Sequence, residues 1–395
     1  MDGWRRIRTG CVAGAAALCG LLPFAARAAD PAPGFVPNWA HIAAIMVRRD
    51  IQLAPGERVL IEHDPDRDPG LVAALRTEIV RAGGIVAGEL AWPSTATGEY
   101  LATLSDAERR RREAEEDRAY RALFANADVF LWLQASPVEE LTPRRVEHLI
   151  AESHVRAVHS HWFESGNPAE HDRLRAMNQA AIEVPPDRLK ATEQALAAKL
   201  RGATVHLTSP AGTDLTFTVP AAAWFHLNTG EASRAKTADA RSTRDREEEI
   251  PAGALRTTDV VGTRGRLVAT LPESTQAGSV AVTFREGRAT GFSARSGHAE
   301  DTVKEYDSMG GDHDRVSELV IGTNPELTPI LPSGFMPYYG YGAGIVRIAM
   351  GDNWESGGSL RTANREELWL FVTDGTLTAN GATLIKDGKL VLKAD

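Results

Sequence analysis

A single charged residue interrupts an apolar strand pattern near the C-terminus. Residues 342–353 read G-A-G-I-V-R-I-A-M-G-D-N, with Arg347 in the middle of the apolar run. Such a run is typical of a strand that is buried on both faces. A guanidinium is rarely buried without a partner, because an unpaired charge is costly inside a protein. We therefore predict a carboxylate beside Arg347; the alternative is a surface arginine on an edge strand.

Histidines next to carboxylates mark two candidate metal sites. Asp312 and His313 lie in a short polar stretch just before Glu318, and the three can form a single-metal site of the kind that iron dioxygenases use, or a solvated polar turn. His298 is likewise a loop histidine or a ligand. His159 and His161, in V-H-S-H-W, have strand spacing at the end of a predicted strand, where clefts form in α/β folds. They are either ligands or structural residues.

A polar loop and a group of tyrosines flank the Arg347 strand. Asp352 and Glu355 precede the pair of glycines at 357–358, so they line a pocket mouth or simply form a turn. Tyr339 and Tyr341 interleave with glycines before the strand, where they supply phenolic donors to a ligand or pack in the core. The charged run 245–249 is predicted to be a solvated face.

Four segments of the second half resemble one enzyme family. They are S-P-A-G-T-D-L-T-F at 209–217, E-I-P-A-G-A-L-R-T-T-D at 249–259, S-E-L-V-I-G-T-N-P at 317–325 and G-I-V-R-I-A-M-G-D-N at 344–353. Their order and spacing resemble the thermophilic-type metalloaminopeptidases, the aminopeptidase T and aminopeptidase S family. The second-half layout is also similar, more distantly, to the iron-dependent 2,5-dihydroxypyridine dioxygenase.

The resemblance implies a two-metal site from which most ligands have been lost. Members of the family hold two divalent ions, usually zinc or cobalt, on carboxylates and histidines, and a tyrosine assists. By this likeness Glu318 is retained, while Arg347 stands at a histidine position and Ala254 at a glutamate position. Trp354 falls near the tyrosine position, and the late histidine–aspartate pair falls near Leu368 and Leu370. We expect Arg347 to pair with Glu318, so that a guanidinium replaces metal charge.

The predicted elements that position these residues change character near residue 200. Residues 37–190 alternate helix and strand patterns, which predicts an α/β domain with a parallel sheet. Residues 200–395 contain short strands, frequent turns and abundant Gly and Thr, which predicts a β-rich α+β domain resembling aminopeptidase T. The predicted fold class is therefore α/β plus α+β.

The N-terminal residues predict export. Residues 1–29 combine basic Arg5, Arg6 and Arg8 with an apolar stretch and the small-residue site Ala26-Arg27-Ala28, as in a secretory signal peptide. A periplasmic or secreted protein is expected, with no membrane association after processing. Both cysteines lie in this segment, so the mature chain has no disulfide. The net charge of −9 argues against a nucleic-acid partner.

The combined prediction is an exported aminopeptidase-T-like protein, derived from a hydrolase, whose remodelled metal site acts on or binds a small peptide or an anionic small molecule. Two alternatives are a metal-dependent iron oxygenase and a non-catalytic ligand-binding protein that uses Arg347 and the Tyr/Gly loop. The expected cofactor is a divalent metal (zinc, cobalt or iron) or none. A homodimer is expected from the resemblance alone.

Overall fold

The structure is a computed structural model, and some of the residues selected from the sequence lie outside the part that it describes. The described residues are 34–64, 69–91, 100–133, 143–162, 168–271, 278–294, 299–327, 341–363 and 367–392. The predicted signal peptide, Tyr339 and His298 lie outside these ranges. Among the described residues, no helix combines the length and the apolarity needed to cross a bilayer.

Eight α-helices are found in the described residues. In chain order they are α1 (Trp39–Ala44), α2 (Pro69–Arg81), α3 (Asp106–Ala125), α4 (Pro143–Glu152), α5 (His171–Glu183), α6 (Pro186–Leu200), α7 (Arg234–Thr237) and α8 (Ala299–Asp307). Helix α1 continues into a π-helical turn, Ile45–Asp50. Helix α3 begins with a capping box, in which Ser105 and Glu108 satisfy each other's backbone N–H groups.

Eighteen strands are found in the same residues. They are β1 (Arg58–His63), β2 (Ile85–Ala91), β3 (Val129–Leu133), β4 (Arg156–Ser160), β5 (Thr204–Thr208), β6 (Asp214–Thr218), β7 (His226–Asn228), β8 (Glu247–Ile250), β9 (Ala254–Thr257), β10 (Val261–Thr270), β11 (Ser279–Arg285), β12 (Arg288–Ala294), β13 (Val316–Gly322), β14 (Val346–Gly351), β15 (Glu367–Val372), β16 (Thr376–Ala379), β17 (Ala382–Lys386) and β18 (Lys389–Leu390).

The first sheet is five-stranded and parallel, in the order β2-β1-β3-β4-β8. One face packs an apolar cluster against α1 and α2, and the other packs a second cluster against α3 and α4. Burial on both faces explains why β3 is apolar throughout. This sheet confirms the predicted parallel α/β part of the fold class, although its fifth strand comes from residues 247–250, outside the predicted range 37–190.

Strand β8 corrects one prediction. The charged run 245–249 is not a solvated face, because its three glutamates lie in β8, which pairs with β4. Glu247, Glu248 and Glu249 are 1%, 0% and 4% exposed. Neighbouring cations compensate them: Lys236 contacts Glu248, and Arg244 contacts Glu249. Consecutive acids typically indicate solvent exposure. Here the nearby cations offset the free energy that burying the three carboxylates costs.

The second sheet is antiparallel and forms the predicted β-rich region. Its order is β18-β17-β16-β5-β6-β10-β15-β14-β13-β9-β7, and β11 and β12 continue from β10. One face supplies a large apolar core that includes Leu319, Ile348 and Leu370. The opposite face near β9, β13 and β14 carries Arg256, Glu318 and Arg347, and it is the face that reaches the first sheet. The predicted mixed α/β class with a β-rich region is confirmed.

Asp50, at the end of the π-helical turn, predicts a pH dependence of folding. It is fully buried and accepts a hydrogen bond from Arg49 Nε at 2.7 Å, and burial raises its pKa to about 7. The unfolded carboxyl ionises near pH 4, so between these values the folded chain binds more protons and Asp50 stabilises it less as pH rises. Relative to wild type, the free energy of unfolding of Asp50→Asn should therefore rise by about 1–3 kcal/mol as the pH increases from about 5 to about 8.

Urea unfolding at both pH values measures this difference. The exposed Asp374→Asn is the matched control, for which we expect a pH profile like that of wild type. An Asp50→Asn profile parallel to wild type would contradict the assignment.

Candidate functional site

A row of side chains crosses the first sheet at the carboxyl end of its strands. Trp132 of β3 lies opposite His159 of β4, which lies opposite Glu249 of β8. The Trp132 and His159 rings stack with centroids 3.6 Å apart and an interplanar angle of 5°. His161 follows His159 by two residues, so the strand alternation directs both imidazoles to one side. This edge is where α/β sheets bind ligands.

Three of these side chains form a candidate metal site. One donor atom each from His159, His161 and Glu249 lies within 4.8 Å of the other two, and it is the one such group found among the described residues. His161 and Glu249 are buried and His159 nearly so. Two imidazole nitrogens and one carboxylate oxygen suit zinc or iron(II), and they leave coordination positions for water or substrate.

The histidines are held in the form that a metal requires. Burial lowers the pKa of His159 to about 3 and, with His159 adding to the effect, lowers the pKa of His161 well below its usual value. Both rings are therefore neutral at pH 7. His159 Nδ1 lies 2.9 Å from Glu247 Oε1, so an ionised Glu247 keeps the proton on Nδ1 and leaves the Nε2 lone pair available. Carboxylate-oriented histidine is the common arrangement around bound metals.

Glu249 is fixed by the second sheet. Its Oε2 accepts hydrogen bonds from Arg256 and from the Tyr341 hydroxyl, and Arg244 Nη1 lies 3.2 Å from its Oε1. Burial acts to raise the pKa of Glu249, but Arg256 and Arg244 outweigh it and hold the pKa below its usual value. The carboxylate is ionised, and Oε1 retains one lone-pair direction for a further ligand.

The predicted pair between Arg347 and Glu318 is confirmed. Arg347 Nη2 donates to Glu318 Oε2 at 2.8 Å, and the two residues are 1% and 2% exposed. Ser356 Oγ donates to Glu318 Oε1 at 2.8 Å, and the Arg347 guanidinium lies over the Trp369 ring at 4.3 Å. Strand β14 lies between β13 and β15, so the edge-strand alternative is wrong.

The placement of the late ligand pair requires correction. Leu368 and Leu370 face the apolar core, whereas Glu367 and Trp369 lie on the face of Arg347. A shift of one residue exchanges the two faces of a strand, which is why motif alignment misplaced the pair. Ala254 and Arg347 offer no metal ligand, and neither does Trp369. The two-metal site implied by the sequence resemblance therefore does not fit these residues.

The buried centre contains more carboxylates than guanidiniums. Arg244, Arg256 and Arg347 face five acids, which are Glu247, Glu249, Glu318, Glu355 and Glu367. Burial raises the pKa of Glu247, Glu355 and Glu367 to about 7, and neighbouring acids add to the shift. With every acid ionised, the surplus is two negative charges. Protonation removes that surplus, and a divalent cation on His159, His161 and Glu249 would balance it equally well.

Several other predicted site residues lie elsewhere. Asp312 and His313 are not brought together with Glu318, because Asp312 accepts from the Arg361 backbone in the turn before β13 while Glu318 points inward to Arg347. Asp352 accepts from Trp354 N at 2.9 Å, as in a turn.

Two other predicted site residues do reach the buried centre. Glu355 contacts Arg244, and Tyr341 is the one predicted tyrosine in the described residues that enters the centre.

Sequence reasoning missed the contribution of β8 and β9. Glu247, Glu249 and Arg256 were not selected, because three consecutive glutamates show no alternation that would assign them to a strand face. Only H-S-H at 159–161 alternates in the sequence, and its pairing with β8 is seen in the structure alone.

Comparisons with known proteins support the fold. No protein-family model matches the sequence, and no curated protein matches it. The structure is similar to that of aminopeptidase T (AmpT) from Thermus thermophilus, with a TM-score of 0.62 and 16% identity over 90% of this chain and 99% of that one. It is also similar to 2,5-dihydroxypyridine dioxygenase from Pseudomonas putida KT2440, with a TM-score of 0.60 and 16% identity over 90% and 97%. The TM-scores establish a common fold, and the low identities agree with a distant relationship.

The Arg347–Glu318 pair predicts strong energetic coupling. Arg347→Met leaves a buried carboxylate unpaired and should cost about 3 kcal/mol of unfolding free energy, whereas adding Glu318→Gln should recover part of that loss. A double-mutant cycle by urea unfolding measures the coupling. Arg264→Met, on an exposed β10 position, is the control. Additive effects of the two substitutions would contradict a direct pair.

Proposed function

We propose that this protein is a single-metal enzyme that acts on small molecules. The observation that carries the proposal is the convergence of His159, His161 and Glu249 at the carboxyl edge of the first sheet. The metal would supply Lewis-acid or redox chemistry at its open positions. This single-metal site takes the place of the two-metal site of the family that the sequence resembles. Arg347 and Trp369 cannot provide ligands for the two-metal site.

The surrounding residues have defined tasks in this proposal. Glu247 holds the His159 tautomer, and Trp132 fixes the ring plane by stacking. Arg256 and Tyr341 hold Glu249 from the second sheet. Pre-positioned ligands keep the binding cost low, because few side chains must reorganise when the ion enters.

The donor set favours iron(II) and oxygenase chemistry. Two histidines and one carboxylate with open positions are the donor set of many non-haem iron oxygenases, and the fold likeness to a dioxygenase supports this reading. The fold likeness to AmpT supports a hydrolase, for which the same donors would bind zinc. Metal identity separates the two: stoichiometric iron supports the oxygenase, and stoichiometric zinc or cobalt with peptide hydrolysis supports the hydrolase. A chain that takes up no metal would instead be the non-catalytic binding protein.

We also propose where the protein is located, what it binds and how it assembles. The basic and apolar pattern of residues 1–29 supports a periplasmic or secreted protein. The substrate we propose is a small peptide or an anionic small molecule, and the assembly a homodimer. N-terminal sequencing of the protein recovered outside the cytoplasm would test the cleavage site.

Metal content tests the central proposal. After anaerobic loading with iron(II) and, separately, with zinc, the purified wild type should retain about one ion per chain after desalting. His161→Ala should retain less than about a tenth of that amount, because a chelating ligand is lost. His206→Ala is the matched control, since His206 is half exposed and pairs with Asp214 away from the centre. Equal retention by His161→Ala and wild type, or no retention by wild type, would refute the site.

Glu247 tests the orientation of His159. Above about pH 8, where Glu247 is ionised, Glu247→Gln removes the charge that holds the Nδ1 proton, and we expect a loss of metal affinity of about 10-fold to 100-fold. Competition titration against a metal-sensitive dye gives the affinity, while thermal unfolding checks that the fold is intact. The exposed Glu300→Gln should bind like wild type. If Glu247→Gln also binds like wild type, then Glu247 does not position His159.

A further inference from the structure

A second polar cleft lies on the outer side of the loop that covers the buried centre. It encloses about 320 Å³ between the end of α4, the segment leading into β8 and the loop after β14. The side chains that define its chemistry are Arg241, Arg246, Arg361, Ser242, Thr243 and Trp354. The volume is at the lower end of the range for small-molecule sites.

Each of the three arginines is anchored in a way that leaves N–H donors free. The Arg241 guanidinium lies 3.7 Å from the centroid of the Trp224 ring, which occupies its face and not its edge. Arg246 uses Nη1 to bind the carbonyl oxygens of Ile150 and Ser153 at the end of α4. Arg361 uses Nη1 to bind the carbonyl oxygens of Gly358, at 3.0 Å, and Leu360. Positioned guanidiniums with spare donors lose little entropy when they bind an anion.

The three guanidiniums lack acidic partners. In the part of the chain that the structure describes, none of Arg241, Arg246 and Arg361 forms an ion pair with a carboxylate, in contrast to the arginines of the buried centre. Three uncompensated positive charges around one cleft are unexpected in a chain of net charge −9. Arg241 and Arg361 are exposed and Arg246 is half-buried, so all three guanidiniums are accessible to an anion that enters the cleft from solvent.

We propose that this cleft binds a small molecule with at least two negative charges on oxyanion groups, either carboxylates or a phosphate. Guanidinium forks match both groups through paired hydrogen bonds. Trp354, whose ring lies 4.3 Å from that of His148, adds an aromatic surface to the cleft and favours a ligand with a planar or apolar part.

The cleft and the buried centre share one loop. Trp354, Gly357 and Gly358 line the cleft, whereas the residues between them turn inward, with Glu355 contacting Arg244 and Ser356 contacting Glu318. A ligand in the cleft therefore contacts the segment that holds two acids of the centre. The binding inference goes beyond the proposed metal enzyme and does not depend on a bound ion.

Calorimetric titration of the metal-stripped full chain with two probes tests the inference. The probes are inorganic phosphate and phthalate, an aromatic dicarboxylate. We expect one site of millimolar or tighter affinity for at least one probe, and weaker binding at high salt. Arg241→Gln and Arg361→Gln should each reduce the affinity about tenfold, and Arg241→Lys should reduce it less because it keeps the charge.

The outcomes are separable. Binding of phthalate alone assigns a carboxylate ligand, and binding of phosphate alone assigns a phosphate ligand; both support the site. The exposed Arg264→Gln on β10 is the charge-matched control and should bind like wild type. Failure of both probes to bind, or unchanged affinity in the Arg241→Gln/Arg361→Gln double variant, would overturn the inference. Metal retention by the same preparations is measured separately, so loss of one site does not obscure the other.

Discussion

The burial of ionised groups where the two sheets meet is the constraint on which the rest of the structure depends. A buried charge is tolerated only when an opposite charge and hydrogen bonds replace the water it has lost. Glu249 meets this condition through Arg244, Arg256 and Tyr341, and Glu318 meets it through Arg347 and Ser356. The partners of Glu318 belong to the second sheet and its loop, whereas Glu249 lies on the first sheet and takes Arg256 from the second, so the two sheets must stay in register for Glu249 to remain paired.

Strand β8 is the element that creates this dependence. It lies in sequence among the strands of the β-rich region, yet it completes the parallel sheet beside β4. Its odd-numbered glutamates face the centre, while Glu248 faces the other way and pairs with Lys236. One short strand therefore distributes three buried acids over two faces of a sheet.

The sequence predicted local structure better than it predicted the centre. The parallel sheet, the β-rich sheet and the Arg347–Glu318 pair follow from local element patterns and from a single alignment, and the structure has all three. The acids of β8 were misread because their burial depends on the pairing of β8 with β4 and on cations from the turn before β8 and from β9, none of which a run of consecutive acids indicates. The late ligand positions were misread by one residue, which is enough to reverse a strand face.

An arginine and a metal ligand differ in what they allow a site to do, even where an arginine supplies positive charge. A guanidinium cannot dissociate, has no lone pair to offer and leaves no coordination position for water or substrate. At Arg347 it therefore stabilises Glu318 without providing a reactive centre. The histidine pair at the carboxyl edge of the first sheet has the opposite properties, since neutral imidazoles have lone pairs and no charge of their own. The two surplus carboxylates nearby can be balanced by protonation or by a cation on the first sheet, whereas the second sheet carries a fixed arginine.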